Sequence, residues 1–420
     1  MASNAAELPD EQTLRTNVRM WLERNWDPDR KLVEWRRMLA ETGWGCPEWP
    51  EEWFGLDYPS SLANAVQDEI ASFGAIGVAR SGVRMLAAAT LLEHGSAAQK
   101  SQFLGGILSG EDTWCQLFSE PGSGSDLAGL TTRADKQGDH WRINGQKVWT
   151  TSAHHANYGM LLARTDWDVP KHRGLTFFVV DMKQPGVEVR PLKQMNGYAS
   201  FNEVFFTDAI VPLDRVVGER DGGWSVALTT LANERRVADG MRAWGSVQAG
   251  TGGIFEELAA ETRTVNEPYK WYPQRAGRPD LVISQARAAD LDQDPVVRQA
   301  IANLLILEKS SQWTARRARE AHLLGRPQGP EGSLGKLAAS HVARAAAEVH
   351  TMIAGGEALL AGKDGPLDGL IAEILLSVPA ISIAGGTDEI QHNIIAERVL
   401  GMPKEPRTDV DRPFKDIPRN

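Results

Sequence analysis

The spacing of apolar and polar positions changes period twice along the chain. From about Glu11 to Gly110, apolar residues recur three and four apart, as in LANAVQDEIASFG and RMLAAATLLEHG, which predicts amphipathic helices. Glycine and proline interrupt this pattern in CPEWPEEWFGLDYP, a loop, and the many tryptophans near the N-terminus are expected to pack rather than to stack on a ligand. From about Thr113 to Pro212 the period shortens to that of strands, in TWCQLF, LTTRAD, HWRI, YGMLLA, LTFFVVDM, VEVRPL and NEVFFT, with turns expected at Asn144-Gly145 and Gly138-Asp139. Strand runs without intervening helices predict an antiparallel sandwich or barrel. After Gly222 the helical period returns over residues 224–245, 295–324, 334–360 and 387–400, and four long helices in succession predict an antiparallel bundle. Residues 266–294 read as an interruption or loop, and the tail KEPRTDVDRPFKDIPRN as extended and exposed. The expected fold class is α+β and multidomain. It comprises an N-terminal helical domain (1–112), a middle antiparallel β-barrel or sandwich (113–222), and a C-terminal four-helix bundle with an extended tail (223–420).

Composition narrows the class without naming it. The 420 residues are too many for one simple core, and 42% apolar with 24% charged residues is ordinary globular usage. No uninterrupted run of 18 apolar residues predicts a transmembrane helix. The acidic start MASNAAELPDEQ has no signal pattern, so a cytoplasmic location is expected. Cys46 and Cys115 form neither a disulfide framework nor a ligand spacing, and the adjacent His154-His155 are not spaced as metal ligands, so no metal is expected. A net charge of −10 without a basic run disfavours a nucleic-acid partner.

Four stretches carry candidate chemistry. Residues 118–126, FSEPGSGSD, follow a strand; their small residues allow close backbone approach and their hydroxyls add donors, although loops of this composition are common. Residues 147–153, KVWTTSA, place a large ring beside hydroxyls, as a cofactor site or an ordinary buried strand would. In Gly385-Gly386-Thr387-Asp388-Glu389-Ile390-Gln391, Asp388 and Gln391 fit a capping box at a helix start, which offers free amides and a positive dipole end. The sharpest signal lies after Gly222. At 100° per residue, Ala227, Leu231, Glu234, Ala238 and Met241 share an arc of about 80°. A carboxylate in an apolar stripe is costly unless paired, so Glu234 is either bridged by Arg235 or Arg236 or is a general base in a pocket.

In their order, FSEPGSGSDLAG, WRINGQKVWTTSA, YGMLLART, FNEVFFTDAIVP and AGGTDEIQHNIIAERVLG resemble the acyl-CoA dehydrogenase family over roughly residues 15–405. The resemblance implies FAD bound between a middle β domain and a helical bundle, and removal of the α and β hydrogens of an acyl-CoA. It sets Phe118 and Ser119 at the flavin's pyrimidine edge, Ser125 near the pyrophosphate or thioester, and Trp149 and Thr151 beside the isoalloxazine. Thr387 and Glu389 are set at the FAD diphosphate, and Arg235 and Gly385 beside the substrate. Many members carry the catalytic glutamate directly before the Gly-Thr pair, where this chain has Gly385. A branch resembling the long-chain and isovaleryl enzymes carries it on the first long bundle helix before Arg, matching Asn233-Glu234-Arg235. A ribityl hydroxyl and a backbone N–H are implied to hold the substrate carbonyl oxygen.

The resemblance further implies a homotetramer or dimer of dimers and an electron-transferring flavoprotein as acceptor. Two departures bear on assembly. No Arg-x-x-Phe-Gly signature occurs in DLDQDPVVRQAIANL, and Met352 stands where the family has Gln before Ile/Leu-x-Gly-Gly. Both family positions act on FAD across a subunit interface, so a heteromer whose partner supplies them, or a subunit without flavin, stays open. A related flavin enzyme acting on another thioester is the remaining alternative.

Overall fold

The computed structural model describes residues 8–80, 82–241, 248–324, 326, 329, 331–406 and 409–418; for 235–241, 322 and 323 it describes the backbone alone. The chain divides into two compact units, residues 1–192 with 201–267 and 409–420, and residues 193–200 with 268–408.

The first unit opens with five helices, α1 (Glu11–Asn25), α2 (Leu32–Glu41), α3 (Ser60–Phe73), α4 (Val83–His94) and α5 (Ala97–Ser109). Their ends follow local chemistry. Asp10 caps α1 by accepting the Thr13 N–H at 3.0 Å, and Ser96 with Gln99 forms a reciprocal capping box on α5. The tryptophans pack as expected: Trp35 is fully buried, with Trp26 edge-on at 4.7 Å and Trp21 at 5.5 Å.

Eight strands follow: β1 (Trp114–Leu117), β2 (Arg133–Gln137), β3 (His140–Thr151), β4 (Tyr158–Arg164), β5 (Leu175–Asp181), β6 (Val187–Leu192), β7 (Phe201–Pro212) and β8 (Val216–Val217). They form one sheet in the order β6-β7-β3-β2-β4-β5-β8, with β1 on β4. The pairing is mostly antiparallel, but β1 lies parallel to β4, which corrects the purely antiparallel expectation. Gly138-Asp139 is a hairpin turn, as expected. Asn144-Gly145 is not: it lies inside β3 at a register shift against β7. The reason is close packing. A side chain at Gly145 (φ 153°) would come within 2.5 Å of Thr132 Oγ1, so this glycine serves a bulge.

Two helices complete the unit, α6 (Gly223–Met241) and α7 (Gly253–Asn266). Helix α6 packs on α4 and β5. Thr230 Oγ1 meets Thr90 Oγ1 at 2.8 Å in the core, and Thr229 Oγ1 meets His94 Nε2 at 2.8 Å. The tail is not free. Phe414 is buried, its N–H donates to Val169 O at 2.9 Å, and the Arg164 guanidinium stacks on its ring at 3.4 Å. An aromatic anchor overrides the polar composition that suggested exposure.

The second unit contains α8 (Tyr272–Arg275), α9 (Val282–Ala288), α10 (Pro295–Leu323), α11 (Glu331–Ala354), α12 (Leu370–Ser377), α13 (Pro379–Ile383) and α14 (Asp388–Arg398). The expected loop over 266–294 is largely short helices around buried Trp271 and Val282. Val282, Val297, Leu304, Ala346 and Val349 join α9, α10 and α11 in one core. Asp294 Oδ1 caps α10 by accepting the N–H groups of Val296 and Val297 at 2.9 and 3.0 Å. Helix α11 ends at Ala354, six residues before the expected Leu360, because Gly355 turns left-handed (φ 56°). Residues 366–398 are long enough to cross a bilayer and contain an 18-residue stretch of mean hydropathy 1.8. Left-handed Leu367 and Asp368, and the non-helical Ala384-Gly385-Gly386, divide them into pieces shorter than a membrane span.

Candidate active site

In the first unit the two motif segments, 118–126 and 147–151, are joined through a buried ion pair. Lys147, fully buried on β3, reaches Glu120 Oε1 and Phe118 O, each at 2.9 Å. The Glu120 carboxylate also accepts the Thr131 N–H at 2.7 Å, the Thr132 N–H at 2.8 Å and the Thr131 hydroxyl at 2.9 Å. Burial opposes its charge, but the Lys147 ammonium and these donors outweigh burial and hold the carboxyl at about 2. Neither residue was singled out from the sequence. The signal was there, an acid in one motif and a base in the other, but only the fold shows that they meet.

The bridge holds a backbone whose side chains divide between core and surface. Phe118 is buried, edge-on to Phe177 at 5.8 Å, so its ring is core and only its backbone faces the loop. Ser119 is half-buried, and its carbonyl accepts the Val148 N–H at 2.9 Å. Ser123, which sequence reasoning passed over, is buried and donates to Asp126 O at 2.6 Å. Ser125 is exposed. Lys171 clamps Asp126 from one side and Asp409 from the other, at 2.9 and 2.6 Å.

On β3 the register slips between Lys147 and Thr150, and Trp149 takes a left-handed backbone (φ 62°) that turns its ring out. The ring is 55% exposed, edge-on to Phe201 at 5.7 Å. A bulky residue at positive φ costs on the order of 1–3 kcal/mol, so the surrounding structure must hold Trp149 in this conformation. Thr151, half-buried, pairs with Phe201, and Ser152 is again left-handed (φ 57°).

Glu234 extends from α6 one turn beyond the Thr230–Thr90 contact. It is half-buried, and its Oε2 accepts a hydrogen bond from Gln116 Nε2 of β1 at 3.2 Å. The side chains of Ala238 and Met241, the rest of its stripe, and of Arg235 and Arg236 lie outside the described residues.

In the second unit, Thr387, Glu389 and Gly385 surround the start of α14. Thr387 is the N-cap, its Oγ1 accepting the Ile390 N–H at 3.3 Å, so the cap falls one residue earlier than the Asp388–Gln391 box. Asp388 is instead buried and paired with Lys336 and Arg344, each at 3.3 Å, while Gln391 Nε2 donates back to Gly386 O at 3.1 Å. The surrounding cations and hydroxyls outweigh burial and draw the Asp388 carboxyl below its ordinary value. Glu389 and Gly385 are exposed; Gly385 and Gly386 are both left-handed (φ 70° and 84°). His154 and His155 stack at 3.9 Å, and no cluster of three metal-ligating side chains occurs among the described residues.

Comparison with known proteins gives this geometry its context. Three domain models, "Acyl-CoA dehydrogenase, N-terminal domain", "middle domain" and "C-terminal domain", match residues 7–111, 115–209 and 283–400. "Acyl-CoA dehydrogenase IpdE1" of Mycobacterium tuberculosis is 34% identical over 377 residues, 88% of this chain and 88% of the relative. The chain belongs to the acyl-CoA dehydrogenase family. "Acyl-CoA dehydrogenase FadE34" of the same organism is 35% identical over 368 residues, 87% of this chain, and the match spans 46% of that relative's length. Among solved structures, the ChsE4-ChsE5 complex from Mycobacterium tuberculosis shares the fold at a TM-score of 0.62 and 23% identity, over 96% of this chain and all of that one. The glutaryl-coenzyme A dehydrogenase in its glutaryl-CoA complex does so at 0.59 and 21%, over 98% of this chain and 99% of that one. The family is one of FAD-dependent oxidoreductases, and acyl-CoA dehydrogenation is the activity it assigns.

The residues present fit FAD. At Gly122 and Gly124 no atom lies within 4 Å of where a side chain would stand, so the loop backbone is open to close approach. Trp149 offers an exposed planar ring, and in the second unit Gly385 is equally open before a capped helix N-terminus.

Proposed function

We propose that this chain oxidises an acyl-CoA thioester across its α and β carbons to the 2-enoyl-CoA, with Glu234 as the base. The observation that carries the assignment is the Glu234 carboxylate, half-buried on a helix pinned from below and bonded to the β sheet through Gln116. The other position used for the base in this family is Gly385, which has no side chain.

The chemistry asks for a weak base held in place. The α-hydrogen of a thioester is a feeble acid, so its removal needs a carboxylate whose proton affinity rises as substrate excludes water. Glu234 takes that proton. Bound FAD supplies the acceptor for the β-hydrogen, which leaves as hydride. Trp149 and Thr151 would flank the ring system, the backbone of Phe118 and Ser119 would meet its polar edge, and Thr387 and Glu389 the diphosphate region. Ser125, Arg235 and Gly385 are assigned to substrate contact. An electron-transferring flavoprotein is the proposed acceptor of the electrons.

We infer a homo-oligomer, a tetramer or dimer of dimers. Its support is the apolar surface of α10, where Val296, Ile306 and Trp313 are 63%, 62% and 67% exposed. One observation favours a second assignment, a subunit that needs a different chain to complete its flavin site. Met352 stands 44% exposed on α11 where the family carries Gln, and α10 opens on Asp294-Pro295 without the Arg-x-x-Phe-Gly signature.

The test is a visible spectrum of the purified chain, followed by anaerobic titration with short, long, branched and ring-bearing acyl-CoA esters. A yellow protein bleached by one class supports the assignment and names the substrate. A colourless chain that takes up no added FAD would rule it out and leave the partial-site subunit.

A further inference from the structure

The loop over residues 121–125 hangs between two lysine–carboxylate ties. On its N-terminal side Glu120 is held by buried Lys147, and the backbones of Glu120 and Ser123 exchange N–H donors at 2.9 and 3.0 Å. On its C-terminal side Asp126 is held by Lys171, whose Nζ lies 3.0 and 2.9 Å from the two carboxylate oxygens. The same Nζ lies 2.6 Å from Asp409 Oδ2. Lys171 belongs to the β4–β5 connection, residues 165–174, and its side chain is 14% exposed. Burial opposes its charge, but the two carboxylates outweigh burial and raise the ammonium above its ordinary value. The connection is itself fixed. Arg164 Nη1 donates to Lys171 O at 3.2 Å and Nη2 to Ala128 O at 2.6 Å, while the Lys415 N–H of the tail donates to Trp167 O at 3.0 Å.

We propose that Lys171 is a positioning residue for the cofactor: by tying Asp126 to Asp409 of the tail, it holds the 121–125 backbone in the shape that receives FAD. The inference rests on the assignment of this loop to the cofactor site and adds what keeps the loop in place. At Gly122 and Gly124 no atom lies within 4 Å of where a side chain would stand, so the span has no packing of its own at those positions. Its shape is set from its ends and by buried Ser123, whose hydroxyl donates to Asp126 O at 2.6 Å. A backbone that is ordered only on binding loses affinity to that ordering, and one ordered beforehand does not. Lys171 also separates two like charges. Without the ammonium, the Asp126 and Asp409 carboxylates face each other across its place, and their repulsion drives Asp126 outward. The Asp126 side chain is 63% exposed, so the tie adds little to global stability and its effect falls on the loop.

The experiment measures the FAD dissociation constant by flavin fluorescence, and hydrogen exchange of the loop amides in the flavin-free protein, for the parent, Lys171→Met, Lys171→Arg and Asp126→Asn. Lys171→Met is expected to raise the constant about tenfold and to speed exchange across residues 121–126, with the urea midpoint close to the parent's. Lys171→Arg keeps the charge between the two carboxylates and is expected to recover most of the affinity. Asp126→Asn carries the same test should Lys171→Met fail to fold. Parental affinity in Lys171→Met, with or without faster exchange, or an equal loss in Lys171→Arg, would overturn the role of Lys171. Gly124→Glu, run in parallel, separates the two claims. Parental FAD affinity there removes the loop from the cofactor site, whereas weakened binding there beside an unmoved Lys171→Met removes only the tie.

Discussion

The buried pair of Glu120 and Lys147 makes a strong quantitative demand. The Glu120 carboxyl falls from an ordinary 4.5 to about 2, and each unit is worth about 1.4 kcal/mol, so ionisation of this group in the fold contributes roughly 3 kcal/mol. Because the folded value is the lower one, that stability is complete above pH 4.5 and is lost as the pH falls towards 2. Glu120→Gln removes the charge and leaves the Lys147 ammonium, fully buried, on the neutral carbonyl of Phe118. An orphaned buried charge costs about 3–5 kcal/mol, and the loss is shared by both motif segments that the bridge joins. Glu120→Gln with Lys147→Met removes both charges and should recover most of that loss, since a buried pair is close to neutral against apolar replacements. The assay is urea unfolding followed by tryptophan fluorescence, at pH 7 and in steps down to pH 3, for the parent, the single variants Glu120→Gln and Lys147→Met, and the double variant. The expected pattern is a large single-variant loss, a strongly non-additive double variant, and a weaker acid dependence once Glu120 is gone. A single-variant cost below about 1 kcal/mol, or simple additivity, would refute the bridge as the clamp between the two motifs.

Trp149→Gly relaxes a left-handed backbone and removes an exposed ring, so unfolding stability should hold or rise by about 1 kcal/mol, while FAD affinity measured by fluorescence titration falls at least tenfold; unchanged affinity would remove Trp149 from the cofactor site. Phe414→Ala takes a buried ring from under Arg164 and should cost about 3 kcal/mol, with faster proteolysis in the 165–174 segment that the tail covers. A tail variant with parental stability and protease resistance would show that the anchor is dispensable.

How much of this was legible in the sequence divides along physical lines. The long helices and strands followed from periodicity, because burial of one face is a local pattern: Pro295–Leu323 and Tyr158–Arg164 lie where the pattern put them. Positions governed by a distant partner were not legible. Asn144-Gly145 reads as a turn, but Thr132 packs against it across the sheet and makes it a bulge. Asp388 reads as a cap, but Lys336 and Arg344 of the preceding long helix draw it inward and leave the cap to Thr387. Phe414 sits in a polar tail and gives no periodic signal, yet Arg164 and Val169 bury it. The site shows the same division. Glu234 stood out because a carboxylate breaks an apolar stripe, a feature of one helix. Gln116 and Glu120 did not, since each acquires its role from a side chain on another element.

The central claim is that the Glu234 carboxylate takes the α-proton. Anaerobic mixing of FAD-loaded Glu234→Gln with an acyl-CoA that bleaches the parent tests it most directly. A variant that keeps its yellow colour and its thioester affinity but is bleached at least a thousandfold more slowly, a barrier increase of about 4 kcal/mol, is the predicted result. Bleaching at the parental rate would contradict the account.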